Sequence, residues 1–397
     1  MRLLVTAILV GILARAGMTS ASTDEPERWM ARFGHAVPTI PRLGVQTSNA
    51  MNLTGIGDLS YVVGDNFGGT GGASQARYWA GISRLFTIAE TPSTLALQAT
   101  QAAKGDAKTL TGQITHGPIS LSFLRYTALS NNRLGLVSSI TDSDIEDLTI
   151  TMRWPLQTTG LAMSVGLEAL SGTTEIRSSM LGTALPTSLT QSRIRTLNAA
   201  ISGWTPATAI GLPGAIAFNT SALLAHQAYP LVAHDAKAGS ASKFEAGASW
   251  IAPWNLSSPA QPITTIAVHG QKQLGGQLDV LLRMPLTGFN GVGAYEFGEL
   301  VATDGALIRL DQALELPNNQ RISVFSNHAR GRDRSSTPWI NIRDVGVGYS
   351  RLPSKGVFVR ARASWPLNGQ RLALPGSPVF SDGRDGMRAW VQAGILF

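Results

Sequence analysis

The sequence predicts an all-β chain: a transmembrane antiparallel β-barrel of about 16 strands. Three observations predict it. Apolar and polar residues alternate over segments of about ten residues, at the period of a strand rather than of a helix. No window approaches the roughly 20 consecutive apolar residues that a transmembrane helix needs. Only 14% of the residues are charged, against about 25% in soluble domains.

The chain opens with Arg2, an apolar run from Leu3 to Ala14, and then small residues, which is the form of a secretory leader. Ala14-Arg15-Ala16 and Thr19-Ser20-Ala21 both suit cleavage, and the second suits it better. Residues 1–21 are therefore read as a signal peptide, 22–56 as an N-terminal periplasmic arm or plug segment, and 57–397 as the barrel. Asp24-Glu25-Pro26-Glu27 before Trp29-Met30-Ala31-Arg32-Phe33 suits the start of a short helix, and a loose arm is the other reading. With no cysteine in an exported chain, disulfides supply no stability. The formal charge of +7 falls to +5 when Arg2 and Arg15 leave with the leader. Lys and Arg are scattered rather than clustered, so nucleic acid is not an expected partner. The expected location is the outer membrane of a Gram-negative-type bacterium. Outer-membrane lipids, lipopolysaccharide and the assembly machinery are the expected partners.

The strands follow from alternation. Leu161-Ala162-Met163-Ser164-Val165-Gly166-Leu167-Glu168-Ala169 alternates without a fault, and so does Ile119-Ser120-Leu121-Ser122-Phe123. Val357, Val359, Ala361, Ala363 and Trp365 alternate with Phe358, Arg360, Arg362 and Ser364. Two arginines on one face cannot point into hydrocarbon, so Arg360 and Arg362 are expected to face the lumen. The same reading places strands near 57–66, 74–86, 93–102, 108–116, 119–128, 146–155, 161–170, 193–204, 214–225, 242–252, 262–272, 304–316, 319–328, 341–352, 355–366 and 387–397. Tight turns at Gly117-Pro118, 157–160, 317–319 and 353–355 alternate with longer links at 129–145, 171–192, 226–241, 273–303, 329–340 and 367–386. That asymmetry matches short periplasmic turns and long external loops. Trp154, Trp204 and Trp254 are expected on the periplasmic rim and Trp365 on the opposite one. The last strand carries Ala389, Val391, Ala393, Ile395 and Phe397 at every second position, a closing signal for pairing with the first strand.

These residues resemble a family, the two-partner secretion translocators that transport haemolysins and filamentous adhesins, over about residues 57–397. Gly64-Asp65-Asn66-Phe67-Gly68 with Thr70-Gly71 is similar to the family's first hairpin. Gly288-Phe289-Asn290-Gly291-Val292-Gly293-Ala294-Tyr295, then Gly298-Glu299 and Asp304-Gly305, is similar to its glycine-rich loop. The resemblance implies that this loop folds into the lumen between strands eleven and twelve. Val345-Gly346-Val347-Gly348-Tyr349 through Trp365-Pro366-Leu367 resembles the closing pattern. The sequence departs from the family in two ways. Gly293 stands where the family loop carries an arginine, and the thirteenth-strand stretch that would hold it, Phe325 to Arg330 with Asn327, His328 and Arg330, has no carboxylate. The expectation is a loop without an arginine–acid latch, held by backbone and Tyr295 contacts. The family also carries two periplasmic domains before the barrel, where this chain has residues 22–56.

Enzyme chemistry is not expected. His35, His116, His226, His234, His269 and His328 show no metal-ligand spacing and no nucleophile–base constellation accompanies them, so no catalytic residue, metal or cofactor is assigned. Asp142, Asp144, Glu146 and Asp147 lack the glycine of a calcium loop and read as solvated charge. Arg330, Arg332 and Arg334 suit lipopolysaccharide phosphates or plain loop charge. The expected function is export of a large secreted protein. The alternative is a receptorless barrel acting as a small-solute pore or an assembly accessory.

Overall fold

The computed structural model describes residues 59–396 apart from 69–76, 89, 103–106, 135–136, 157–160, 181–182, 185–186, 232–237, 255–259, 289–290, 296–299, 334–336, 352–355 and 368–386. The expected leader (1–21), the expected arm (22–56) and Phe397 lie outside the described residues. Among the described residues one antiparallel sheet holds seventeen strands. The long ones are β1 (Leu59–Gly68), β2 (Arg77–Ile88), β3 (Thr91–Ala102), β4 (Ala107–His116), β5 (Ile119–Leu134), β6 (Val137–Leu156), β7 (Leu161–Met180) and β8 (Ser188–Pro206). They continue as β9 (Ala215–Leu231), β10 (Gly239–Pro253), β11 (Gln261–Gly275), β12 (Asp304–Leu316), β13 (Gln320–Arg332), β14 (Ile340–Arg351), β15 (Gly356–Pro366) and β16 (Arg388–Leu396). The remaining strand, Thr183–Ala184, pairs with the end of β7. Each long strand pairs with its neighbours in sequence, and β1 pairs with β16 from Val62↔Leu396 to Gly68↔Trp390. The sheet is therefore a closed barrel with no free edge, the arrangement that satisfies every strand's backbone in a membrane. Val391, Ala393 and Ile395 all stand in this closing register.

Side-chain exposure separates the two faces. Along β6, Leu148, Ile150, Met152, Trp154 and Leu156 are 36–48% exposed while Ile145, on the other face, is buried. The exposed stripe continues sideways through cross-strand partners: Leu121, Ile150, Leu167, Leu197 and Leu224 form one row from β5 to β9. Rows of large apolar side chains turned away from the core would be costly in water and suit a bilayer. Nine residues of β6 span about 30 Å along the strand, or roughly 25 Å once tilted, the height of an outer-membrane apolar band.

Two expectations are corrected here. The links expected at 129–145, 171–192 and 226–241 are largely strand: Leu134 pairs with Val137, β6 and β7 run 20 residues each, and β8 runs 19. Beyond the bilayer both faces meet water, so the apolar alternation stops although the hydrogen-bonded ladder continues. Trp204 pairs with Ala217, which is buried on the lumen side, so it faces inward rather than joining a rim girdle. Trp154, Trp254 and Trp365 are exposed.

Candidate lumenal site

The connection between β11 and β12 crosses the barrel interior. Asp279 accepts from the Leu281 N–H at 2.9 Å and opens a single 3-10 turn, Val280–Leu282. Leu278, Leu281 and Leu282 then bury themselves against Ile145 of β6, Leu170 of β7, Ile194 of β8, Leu223 and Ala225 of β9 and Ala241 of β10. Met284, Leu286, Val292, Tyr295, Leu300 and Ala302 bury themselves against Leu307 of β12, Ala329 of β13 and Ile342 of β14. A segment packed on β6–β10 at one end and on β12–β14 at the other spans the lumen. Met284–Pro285 pairs with Val301–Ala302, closing the segment into a hairpin of its own.

Polar wall residues fasten the backbone of this hairpin. Gln227 donates to the Gln277 carbonyl at 2.7 Å and accepts from the Asp279 N–H at 2.6 Å, and Tyr229 donates to Asp279 at 2.9 Å. Lys243 is buried, donates to the Leu282 carbonyl at 2.7 Å and pairs with Glu245 at 2.5 Å. Gln271 donates to the carbonyls of Ala302 and Thr303 at 3.2 and 3.1 Å. Backbone groups that would be orphaned in a lumen thus find partners. Gly331 makes room for the approach: a Cβ there would stand 2.7 Å from Ala302 Cβ and overlap Leu286.

The hairpin tip meets a carboxylate that the sequence comparison did not anticipate. Asp344 of β14 is fully buried. It accepts from the Ala294 N–H at 3.0 Å, from the Gly293 N–H, and from Asn327 Nδ2 at 2.6 Å. Arg362 of β15 interacts electrostatically with it and stacks 3.7 Å above the Phe325 ring. The expectation of a tip without an acidic partner is therefore corrected: the carboxylate stands on the strand beside β13, opposite Asn327 in register. The guanidinium sits on the wall, and Gly293 meets the acid through its backbone. A Cβ at Gly293 would lie 2.7 Å from Ser364 Oγ, so a larger residue there enters only if that hydroxyl turns aside.

Of the site residues expected from sequence, Gly288, Gly291, Gly293 and Tyr295 lie in this hairpin and are buried, Tyr295 within the second apolar cluster. Asn290, Gly298 and Glu299 fall outside the described residues. Asn327 is brought to the tip. His328 and Arg330 are not: they share the outer face with exposed Ile322 and Val324. Arg360 and Arg362 share a face with buried Ser364, opposite exposed Val357 and Trp365. Sequence reasoning missed Asp344, Gln227, Lys243 and Gln271. A signal existed for Asp344, a lone carboxylate following Ile340 and Ile342 on one strand face, but nothing in the sequence said what it would meet. Among the described residues no group of three or more His, Cys, Asp or Glu is placed to hold a metal.

No family model matches the chain, and no curated protein matches it in sequence. Solved structures do share its fold. CdiB from Acinetobacter baumannii superposes with a TM-score of 0.59 at 12% identity, over 86% of this chain and 60% of that one. CdiB from Escherichia coli gives 0.59 at 13% identity, over 86% and 63%. BamA from Haemophilus ducreyi lacking POTRA domains 1–3 gives 0.55 at 13% identity, over 98% and 82%. This chain thus spans about three fifths of the length of the CdiB chains. The fold is that of the CdiB and BamA β-barrels.

Proposed function

We propose that this chain is an outer-membrane barrel that exports a large protein through its lumen, gated by the hairpin between β11 and β12. The observation that carries the reading is that hairpin, packed across the interior and fastened at its tip by Asp344 through two backbone N–H groups. An extended polypeptide needs the lumen clear, and the anchor is a small set of hydrogen bonds that one movement of the tip would break. The resemblance of residues 57–397 to two-partner secretion translocators and the fold shared with the CdiB barrels support the same reading. A leader at 1–21, an arm at 22–56 and closure through the last strand by the outer-membrane assembly machinery complete the proposal. The test compares proteins secreted by the native host with and without this gene. Loss of one large exoprotein from the medium, with its accumulation in the periplasm, supports export. An unchanged secretome refutes it and leaves a pore or assembly accessory.

A further inference from the structure

The outer face of β5–β8 carries a feature that export does not use. Above the apolar rows described for β5–β9, the next row towards the long hairpins is Phe123, Leu148, Ala169 and Arg195, and the row beyond it is Arg125, Glu146, Ser171 and Arg193. The change from the wholly apolar row to the charged one takes place within two steps of the ladder. A shallow groove of about 500 Å³ straddles these two rows, lined by Phe123, Leu148 and Arg195 of the lower row and by Arg125, Arg193 and Leu110, the cross-strand partner of Arg125, of the upper one. The acidic member of the row, Glu146, is engaged by Arg125 at 3.6 Å, and Asp144 by the same guanidinium at 3.3 Å. Neither Arg193 nor Arg195 has an ion-pair partner among the described residues. They stand two residues apart on one strand face, about 7 Å between Cα atoms, so both guanidinium groups reach one anionic headgroup.

We infer that this groove binds a phosphorylated glycolipid of the outer leaflet, with lipid A as its occupant: acyl chains lie along Phe123 and Leu148 and the Leu121 and Ile150 row below them, and phosphate meets Arg193 and Arg195. Charge complementarity at the edge of the apolar band selects the occupant. Water-soluble anions have no use for the apolar half, and a zwitterionic or neutral lipid leaves two arginines without a counter-charge at the bilayer surface. Arginine suits phosphate through paired N–H donors. The inference rests on the outer-membrane reading.

The test uses the full chain, first located by membrane fractionation and heat-dependent gel mobility, then purified in mild detergent micelles. Lipid binding is followed by native mass spectrometry with bisphosphorylated lipid A, the same lipid stripped of both phosphates, and inorganic phosphate. The expected result is a preference on the order of tenfold for the phosphorylated lipid, the scale of one or two charge contacts at a membrane surface. The double variant Arg193→Gln/Arg195→Gln is expected to lose that preference. Arg351→Gln, which removes an outward charge at the opposite rim, is expected to keep it. Equal binding of the two lipids by the parent overturns the inference without recourse to any variant. So does an unchanged preference in the double variant, a loss of preference in Arg351→Gln, or displacement of the lipid by equimolar inorganic phosphate. A parent absent from the outer-membrane fraction overturns the membrane reading as well, which distinguishes the two failures.

Discussion

Replacing Asp344 with alanine tests the anchor of the hairpin tip. In the parent its carboxylate is fully buried and receives the N–H groups of Gly293 and Ala294 and the amide of Asn327, beside the Arg362 guanidinium. Each buried donor left without an acceptor costs about 1–3 kcal/mol. Removing one partner from a buried charged pair costs about 3–5 kcal/mol. These contributions overlap, so the combined loss is taken as about 3–5 kcal/mol. The two apolar clusters that hold the rest of the hairpin are untouched, so the loss falls on the docking of the tip rather than on the barrel. At about 1.4 kcal/mol per factor of ten, 3 kcal/mol moves the docked–undocked equilibrium by roughly two orders of magnitude. In planar bilayers the variant should show openings that are rare in the parent. Asp344→Asn, which keeps an oxygen for the backbone N–H groups, should fall between. If Asp344→Ala conducts like the parent and melts at the same temperature, the carboxylate does not hold the hairpin and the gating argument fails.

Three further predictions follow from the same packing. Gly293→Ala should destabilise the tip by about 1–2 kcal/mol through overpacking, and Ser364→Ala should rescue it, because the clash is with Ser364 Oγ at 2.7 Å while Ser364 Cβ stands at 3.6 Å; a double-mutant cycle with no coupling would refute the contact. Lys243→Ala strands the carboxylate of Glu245, largely buried beside it, and should cost about 3–5 kcal/mol in thermal unfolding, whereas Lys272→Ala, on an exposed side chain, should change the midpoint little. Met152→Arg places a charge at the centre of the exposed stripe on β6 and should cost about 2–4 kcal/mol, read as loss of the heat-modifiable folded band; unimpaired insertion would refute the lipid-facing assignment.

Much of the wall was legible in the sequence because a membrane imposes a two-residue period on every strand. Leu161 to Ala169 could be read with its faces assigned, and Arg360 and Arg362 could be placed opposite Val357 and Trp365. The hairpin ends were illegible for the same reason: in β6 from Val137 to Asp147 no lipid is present to demand an apolar face, so strand and loop look alike. Trp204 misled because an aromatic at a strand end suits either face. The tip anchor was sought on the thirteenth strand and stands on the fourteenth, since register brings Asp344 beside Asn327 and the sequence carries no record of register between separate strands.

The sequence alone determined the wall, since lipid on one side and polar groups on the other act locally, residue by residue. Only the tertiary structure decided what fills it. The contacts that fasten the hairpin join residues 31 to 52 apart, from Gln271 and Ala302 to Ala294 and Asp344 or Asp279 and Gln227. Such contacts exist only once the sheet has closed through β1 and β16 and brought β9–β11 and β13–β15 around one lumen. Closure turns scattered inward-facing side chains into a set of partners, because curvature places strands from distant parts of the chain within hydrogen-bond reach of one segment.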